Sequence, residues 1–200
     1  MRLIRGLIMA IGIIGILAIF ALVIGYYLYS LSPPIQSKMV PILPSPEAAQ
    51  SFDQKVSSAD DEIEAAVSAG QKKEVTLTIT DKEVNSKIIQ FRAKGELPVK
   101  EASVNFGDGN FLAYAMVDTP GINAKMGVIG RVEIVDGSPK IVVDEFNLGK
   151  LPVPKTMQTR VEQLLNIMLS LRLADIPLEI TSVQFTNHQL TAIGTTETGK

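Results

Sequence analysis

The sequence contains no cysteine and only one histidine, His188. The absence of cysteine excludes disulfide bonds, a lipid attached through cysteine and every thiolate metal site. Zinc usually takes about three or four protein ligands, which a single histidine cannot supply, so we expect no metal site. Packing alone must therefore hold the folded domain together.

A strong charge of one sign is also missing. Nineteen basic and 21 acidic residues are interspersed and give a formal net charge of −2. Without a basic stripe, nucleic acid is not an expected partner. No G-x-S-x-G turn is present, and the adjacent Asp144 and Glu145 would point to opposite faces of a strand. We therefore predict no catalytic residues and a non-enzymatic protein.

Two short sequence segments resemble nucleotide-binding motifs. Residues Asp118–Gly121 read D-T-P-G, and Gly194–Lys200 read G-x-x-x-x-G-K. Their order is the reverse of that in a GTPase, and the first is more simply a strand that ends in a Pro-Gly turn. No nucleotide and no cofactor is expected.

The most informative feature present is an apolar N-terminus. Arg2 and Arg5 precede an uncharged run from Gly6 to Leu28, with Tyr26, Tyr27 and Tyr29 at its far end. A helix of this run is about 35 Å long, enough to cross the ~30 Å hydrocarbon core of a bilayer. The basic residues predict a single-pass anchor over 6–29, with 1–5 in the cytoplasm and the bulk of the chain outside. A cleaved signal peptide is the alternative, but its apolar run is usually shorter.

The chain beyond the anchor predicts one α+β domain. A proline-rich stretch, 30–50, is expected to be an extended spacer that lifts the domain from the membrane. The domain, 51–196, should begin with a helix over 51–69, which starts with a capping box at Ser51–Gln54, and end before a short tail, 197–200. A second capping box, Thr80–Glu83, predicts the start of the next helix. Alternating residues and the turns Asp108-Gly109 and Asp136-Gly137 predict antiparallel strands. The predicted order is helix, strand, helix, four strands, helix, two strands.

The third helix of this domain, predicted over Thr156–Leu173, is unusually apolar. One stripe contains six large apolar side chains: Met157, Val161, Leu164, Leu165, Met168 and Leu171. One interpretation buries this helix in the concave face of a curved sheet. The other makes part of the stripe the lining of a groove for an acyl chain, which flexible methionines suit.

The order of elements between Glu74 and Gly194 resembles the YpmS-like and LmeA-like membrane-anchored, phospholipid-binding proteins of the bacterial envelope. The resemblance is carried by a strand that leads into a T-D-x-E-x-N helix, and by a glycine- and proline-containing segment before the third helix. The matching residues are Thr80, Glu83, Asn85, Gly149, Pro152 and Pro154. The resemblance implies a curved antiparallel sheet with the helix in its concavity, as in tubular lipid-binding domains.

The sequence therefore leads to two main functional hypotheses, and an enzyme that acts on wall polymer comes third. In the first, an anchored extracytoplasmic protein binds, senses or handles lipid through an apolar groove, with phospholipid and the bilayer as its partners. In the second, the domain is an anchored scaffold that binds another envelope protein and no small ligand. An open apolar cleft beside the third helix would favour the first, and a fully packed interface the second.

Overall fold

The computed structural model describes residues 19–119, 122–151, 153–174 and 176–197. Within these ranges the fold contains a helical segment at 19–30, three further helices, a short 3₁₀ turn and seven strands. The helices are α1 (Pro46–Ser68), α2 (Asp81–Ala93) and α3 (Lys155–Leu173), and the 3₁₀ turn is Pro34–Lys38. The strands are β1 (Glu74–Thr80), β2 (Glu101–Phe106), β3 (Phe111–Thr119), β4 (Ile122–Val135), β5 (Ser138–Leu148), β6 (Leu178–Thr186) and β7 (Gln189–Thr196).

The strands form two curved antiparallel sheets, which confirms the predicted α+β class. One sheet has the order β2-β3-β4-β5 and the other the order β1-β7-β6, whereas the sequence predicted a single sheet. The two sheets meet where β6 packs on β4 and β5. Phe185 joins them, because its ring centroid lies 5.4 Å from that of Phe106 and 5.8 Å from that of Phe111.

The helix N-termini follow capping chemistry. The predicted capping box at α2 is confirmed, since the Thr80 hydroxyl accepts from the Glu83 amide and the Glu83 carboxylate accepts from the Thr80 amide. The predicted start of α1 at Ser51 is wrong. Ser45 is the N-cap and accepts from the Ala48 amide, with a proline in the first turn, so the helix begins five residues earlier.

The proline-rich segment is not an extended spacer. Its residues 31–45, here called the strap, lie against the domain. Pro33 and Ile35 are fully buried, and Ile35 packs against Gly127 of β4, where a Cβ would be only 3.1 Å away. Further along the strap, the Val40 amide donates to the Asn105 side chain at 2.8 Å. Burial of apolar side chains thus outweighs the tendency of prolines to stand in solvent.

α3 does not lie in the concavity of a sheet. Its contacts are concentrated on β5, the outer strand of the four-stranded sheet. α1 packs on α2 and β1, and α2 packs on β2, the other outer strand of the same sheet. Both edges of the four-stranded sheet are therefore covered by helices, which prevents pairing with another chain there.

The predicted anchor lies mostly outside the described residues, and so do the Pro120-Gly121 turn, Pro152 and most of the tail. Residues 19–30 are helical. In the part of the chain that the structure describes, no helix is both long enough and apolar enough to cross a membrane.

Candidate functional site

The polar side of α3 covers the open edge of β5. Asn166 accepts from the Ile141 amide and donates to the Ile141 carbonyl, both at 2.7 Å. One and two turns earlier, Glu162 accepts from the Val143 amide at 2.9 Å and Gln158 donates to the Val143 carbonyl at 2.6 Å. β5 has no partner strand on this side, and these three side chains supply the missing hydrogen bonds. Backbone groups left without a partner beneath a helix would destabilise the fold.

This arrangement turns the large apolar residues of α3 away from the sheet. Leu164, Ile167 and Met168 have 56–57% of their surface exposed, and Leu171 has 70%. Their spacing, i, i+3, i+4 and i+7, places them on one side of the helix. We call these four residues the outer stripe.

The structure therefore divides the six residues predicted to line a groove. Val161 and Leu165 are half-buried on the side of α3 nearer the sheet. Leu164, Met168, Leu171 and the 44% exposed Met157 face solvent instead. The interpretation that buried the whole stripe in a concave face is wrong, because the edge of β5 takes polar and not apolar partners.

A cleft of about 650 Å³ lies at the C-terminal end of α3. It is bounded by the β4–β5 turn, by Ser170 and Leu173 of α3, and by Ile176 with the start of β6. None of the six predicted groove residues lines it. Its apolar part is therefore built from residues that the helical pattern did not single out.

The N-terminal helical segment, 19–30, ends against the turn that leads into α3. The Lys150 amide donates to the Leu28 carbonyl at 2.8 Å. Gly149 permits this approach because it has φ +58° and any Cβ would lie 2.6 Å from the Leu28 oxygen. Most of the segment's apolar side chains are exposed, including Phe20 at 61% and Leu22 at 73%.

Two residues of the T-D-x-E-x-N pattern hold helices in place. Asn85 donates to the Val104 carbonyl at 2.6 Å and accepts from the Val104 amide at 3.0 Å, so it closes the edge of β2 as Asn166 closes β5. Glu83 is buried and binds the Lys55 ammonium at 2.8 Å and the Ser51 hydroxyl at 2.5 Å, which fastens α2 to α1.

The Glu83 carboxylate is strongly stabilised in its charged form. Burial opposes ionisation and by itself would raise the pKa of Glu83. The Lys55 ammonium, the Ser51 hydroxyl and the amide and hydroxyl of Thr80 outweigh it and lower the pKa to about 2. All the partners of this carboxylate belong to α1, α2 and the cap between β1 and α2, so its role is to stabilise the fold.

The remaining chemical candidates do not assemble into a site in the described ranges. His188 Nδ1 lies 2.8 Å from the buried Asp81 carboxylate at the β6–β7 turn, whose Asn187 and His188 both have positive φ. Asp118 pairs with Lys100 at 3.4 Å. No group of three or more His, Asp or Glu side chains among these residues is arranged to hold a metal ion.

Comparisons with known proteins identify no relative: no family model matches the chain, and neither do curated proteins or solved structures. The resemblance to the YpmS-like and LmeA-like proteins therefore stays a prediction. The residues that sequence reasoning missed are Gln158, Glu162 and Asn166. Their signal was present as three amide or carboxyl side chains at intervals of four, on the side of the helix away from its large apolar residues.

Proposed function

We propose that this protein is a membrane-anchored, non-enzymatic protein of the cell envelope whose extracytoplasmic domain contacts lipid through the outer stripe of α3. The observation that carries the proposal is the inverted orientation of α3. Its polar side chains are hydrogen-bonded to the backbone of the edge strand β5. Its apolar residues Leu164, Ile167, Met168 and Leu171 are exposed to solvent. An exposed apolar helix face of this kind is typical of a contact with a membrane or another protein.

Burying the outer stripe would give a weak membrane contact, which is useful only to a chain that is already anchored in the membrane. Fully burying a Leu, Ile or Met side chain contributes about 1.5–3 kcal/mol, so four half-exposed side chains add roughly 4 kcal/mol. Alone, that free energy corresponds to a dissociation constant of about 1 mM. A tether to the same membrane raises the effective concentration and makes such a weak contact useful.

The N-terminus supports the membrane as the occupant of the outer stripe. The sequence has no charge between Gly6 and Leu28, and the described end of this run exposes Tyr26 and Tyr27. Tyrosines are common at the headgroup level of membranes. The Leu28 carbonyl accepts a hydrogen bond from the turn before α3, and the strap is packed on the domain. The N-terminal end of α3 is therefore held close to the anchor.

A protein partner is the second candidate. The i, i+3, i+4, i+7 spacing of the outer stripe is also the spacing with which a helix docks in an apolar groove. In that case the domain is a scaffold for envelope machinery, and the outer stripe is covered by another chain and not by lipid.

The absence of cysteine allows a direct test on the full chain. An environment-sensitive fluorophore is attached to the Met168→Cys variant. The matched label, on Thr159→Cys, is also exposed and reports the opposite side of α3, about 180° around the helix. The chain is inserted in phosphatidylcholine vesicles. We expect a blue shift and quenching by acyl-chain nitroxide lipids at 168 and neither at 159.

Failure of the full chain to float with the vesicles would contradict the membrane anchor. Insertion with identical, solvent-like spectra at 168 and 159 would contradict the lipid contact. A label at 168 that becomes shielded only in native membranes, and is not quenched by nitroxide lipids, would favour the protein partner.

A further inference from the structure

A second cleft lies beside the anchor. It has a volume of about 620 Å³ and is formed by the first residues of the strap and closed by Lys150. Its polar lining comes from Ser32, Gln36, Ser37 and Lys150, and its apolar lining includes Pro33 and Pro34. This size is within the range of pockets that bind small molecules or headgroups, about 300–1,000 Å³.

The cleft contains several side-chain hydrogen-bond donors and no carboxylate. Among the described residues, no acidic side chain pairs with the exposed Lys150 ammonium, and the Ser32 hydroxyl and Gln36 amide have no protein partner. Ser37 is different, because its hydroxyl already donates to the Pro34 carbonyl at 2.7 Å. The available groups match a compact anion with several acceptor oxygens, of which phosphate is the common biological example.

The position of the cleft indicates where the anion comes from. The Lys150 amide is bonded to Leu28, at the end of the apolar N-terminal run and next to the exposed Tyr26 and Tyr27. If the run spans the membrane, Lys150 is at the level of the headgroups, where lysine and tyrosine are both favoured.

We propose that this cleft binds the phosphate of an anionic phospholipid headgroup, with Lys150 as the counter-charge and Ser32 and Gln36 as additional donors. The inference rests on the proposed membrane anchorage. It goes beyond the outer stripe, because a stripe of apolar side chains has no means of distinguishing one headgroup from another.

Native mass spectrometry of the full chain tests the site. The protein is released from detergent micelles containing equimolar phosphatidylglycerol and phosphatidylcholine, and the retained lipids are counted. We expect phosphatidylglycerol to be retained in excess, and Lys150→Gln to reduce that excess about fivefold, as for one charge-assisted hydrogen bond at a partly exposed site. Lys155→Gln is the matched control, since it removes the same charge from an exposed lysine five residues away that does not line the cleft.

Three results would overturn the proposal. Equal retention of the two lipids by the unmodified chain would contradict headgroup selection. Equal losses in Lys150→Gln and Lys155→Gln would indicate diffuse attraction and no site. Displacement of the retained lipid by millimolar inorganic phosphate would make the ligand a free anion. The fluorophore at Met168 reads the outer stripe independently, so failure of the cleft and failure of the lipid contact are distinguishable.

Discussion

Replacing Glu83 by glutamine removes one negative charge from the junction of α1 and α2 while keeping the size of the side chain. The carboxylate has only 7% of its side-chain surface exposed, and both its oxygens bind the Lys55 ammonium, at 2.8 and 3.0 Å. In the Glu83→Gln variant the ammonium loses its counter-charge. The Ser51 hydroxyl and the Thr80 amide donate to different oxygens of the carboxylate, so only one of them keeps an acceptor and the other faces the NH2 group of the glutamine. We expect a clear loss of stability at neutral pH.

The size of this loss follows from the pKa. Glu83 moves from an ordinary value of 4.5 to about 2 on folding. At about 1.36 kcal/mol per pKa unit, this corresponds to roughly 3 kcal/mol in favour of the charged form. Because Lys55 is itself 39% exposed, we expect about 2–3 kcal/mol at pH 7. For a domain of this size, that lowers the melting temperature by about 5–10 °C.

The pH dependence makes the test specific to the charge. A carboxyl whose pKa is lowered by folding stabilises the native state above its unfolded pKa of 4.5 and loses that contribution as the pH falls toward 2. The difference between the native chain and Glu83→Gln should therefore be nearly constant from pH 7 to about 5, decrease steadily below that and be lost as the pH falls through 2. Thermal unfolding followed by far-ultraviolet circular dichroism measures it, with Glu64→Gln on the exposed side of α1 as control.

Two outcomes would refute this reasoning. The first is a melting temperature of Glu83→Gln equal to that of the unmodified chain at pH 7. The second is a stability difference that persists unchanged at pH 2, which would mean that the shape of the side chain matters and its charge does not.

Two further substitutions test the packing around the four-stranded sheet. Asn166→Ala leaves the amide and carbonyl of Ile141 without their side-chain partner, so we expect a loss of about 2–3 kcal/mol and faster exchange of the Ile141 amide hydrogen, with Gln163→Ala as an exposed control. Ile35→Ala empties a fully buried position under the strap and should cost about 3–4 kcal/mol in thermal unfolding, whereas Val40→Ala, 55% exposed, should cost less than about 1 kcal/mol. Equal effects of Ile35→Ala and Val40→Ala would show that the strap is not packed in solution.

Local patterns were sufficient for most of the secondary structure. The Thr80–Glu83 capping box, the alternation along β1 and the Asp136-Gly137 turn are all found where the sequence placed them. These features depend on neighbours within a few residues, so a linear pattern contains the necessary information.

The misassigned segments depend on contacts that are distant in the sequence. Prolines indicated an exposed spacer, but the burial of Ile35 depends on Gly127, more than ninety residues away. Ser51 looked like a helix cap, yet its hydroxyl donates to Glu83 in α2 while Ser45 caps α1. Such choices are decided by which partner the folded chain brings within hydrogen-bond distance.

By itself, the sequence determined the α+β class, the order of the elements, the apolar N-terminal run and the presence of a helix that is unusually rich in large apolar side chains. Only the tertiary structure decided which side of that helix meets solvent. Because α3 lies along the edge of β5, the unpaired backbone groups of that strand take Gln158, Glu162 and Asn166 as partners, and the outer stripe is left exposed. A hydrophobic pattern alone does not predict this outcome, because its interpretation rests on the premise that the apolar side of a helix faces the core.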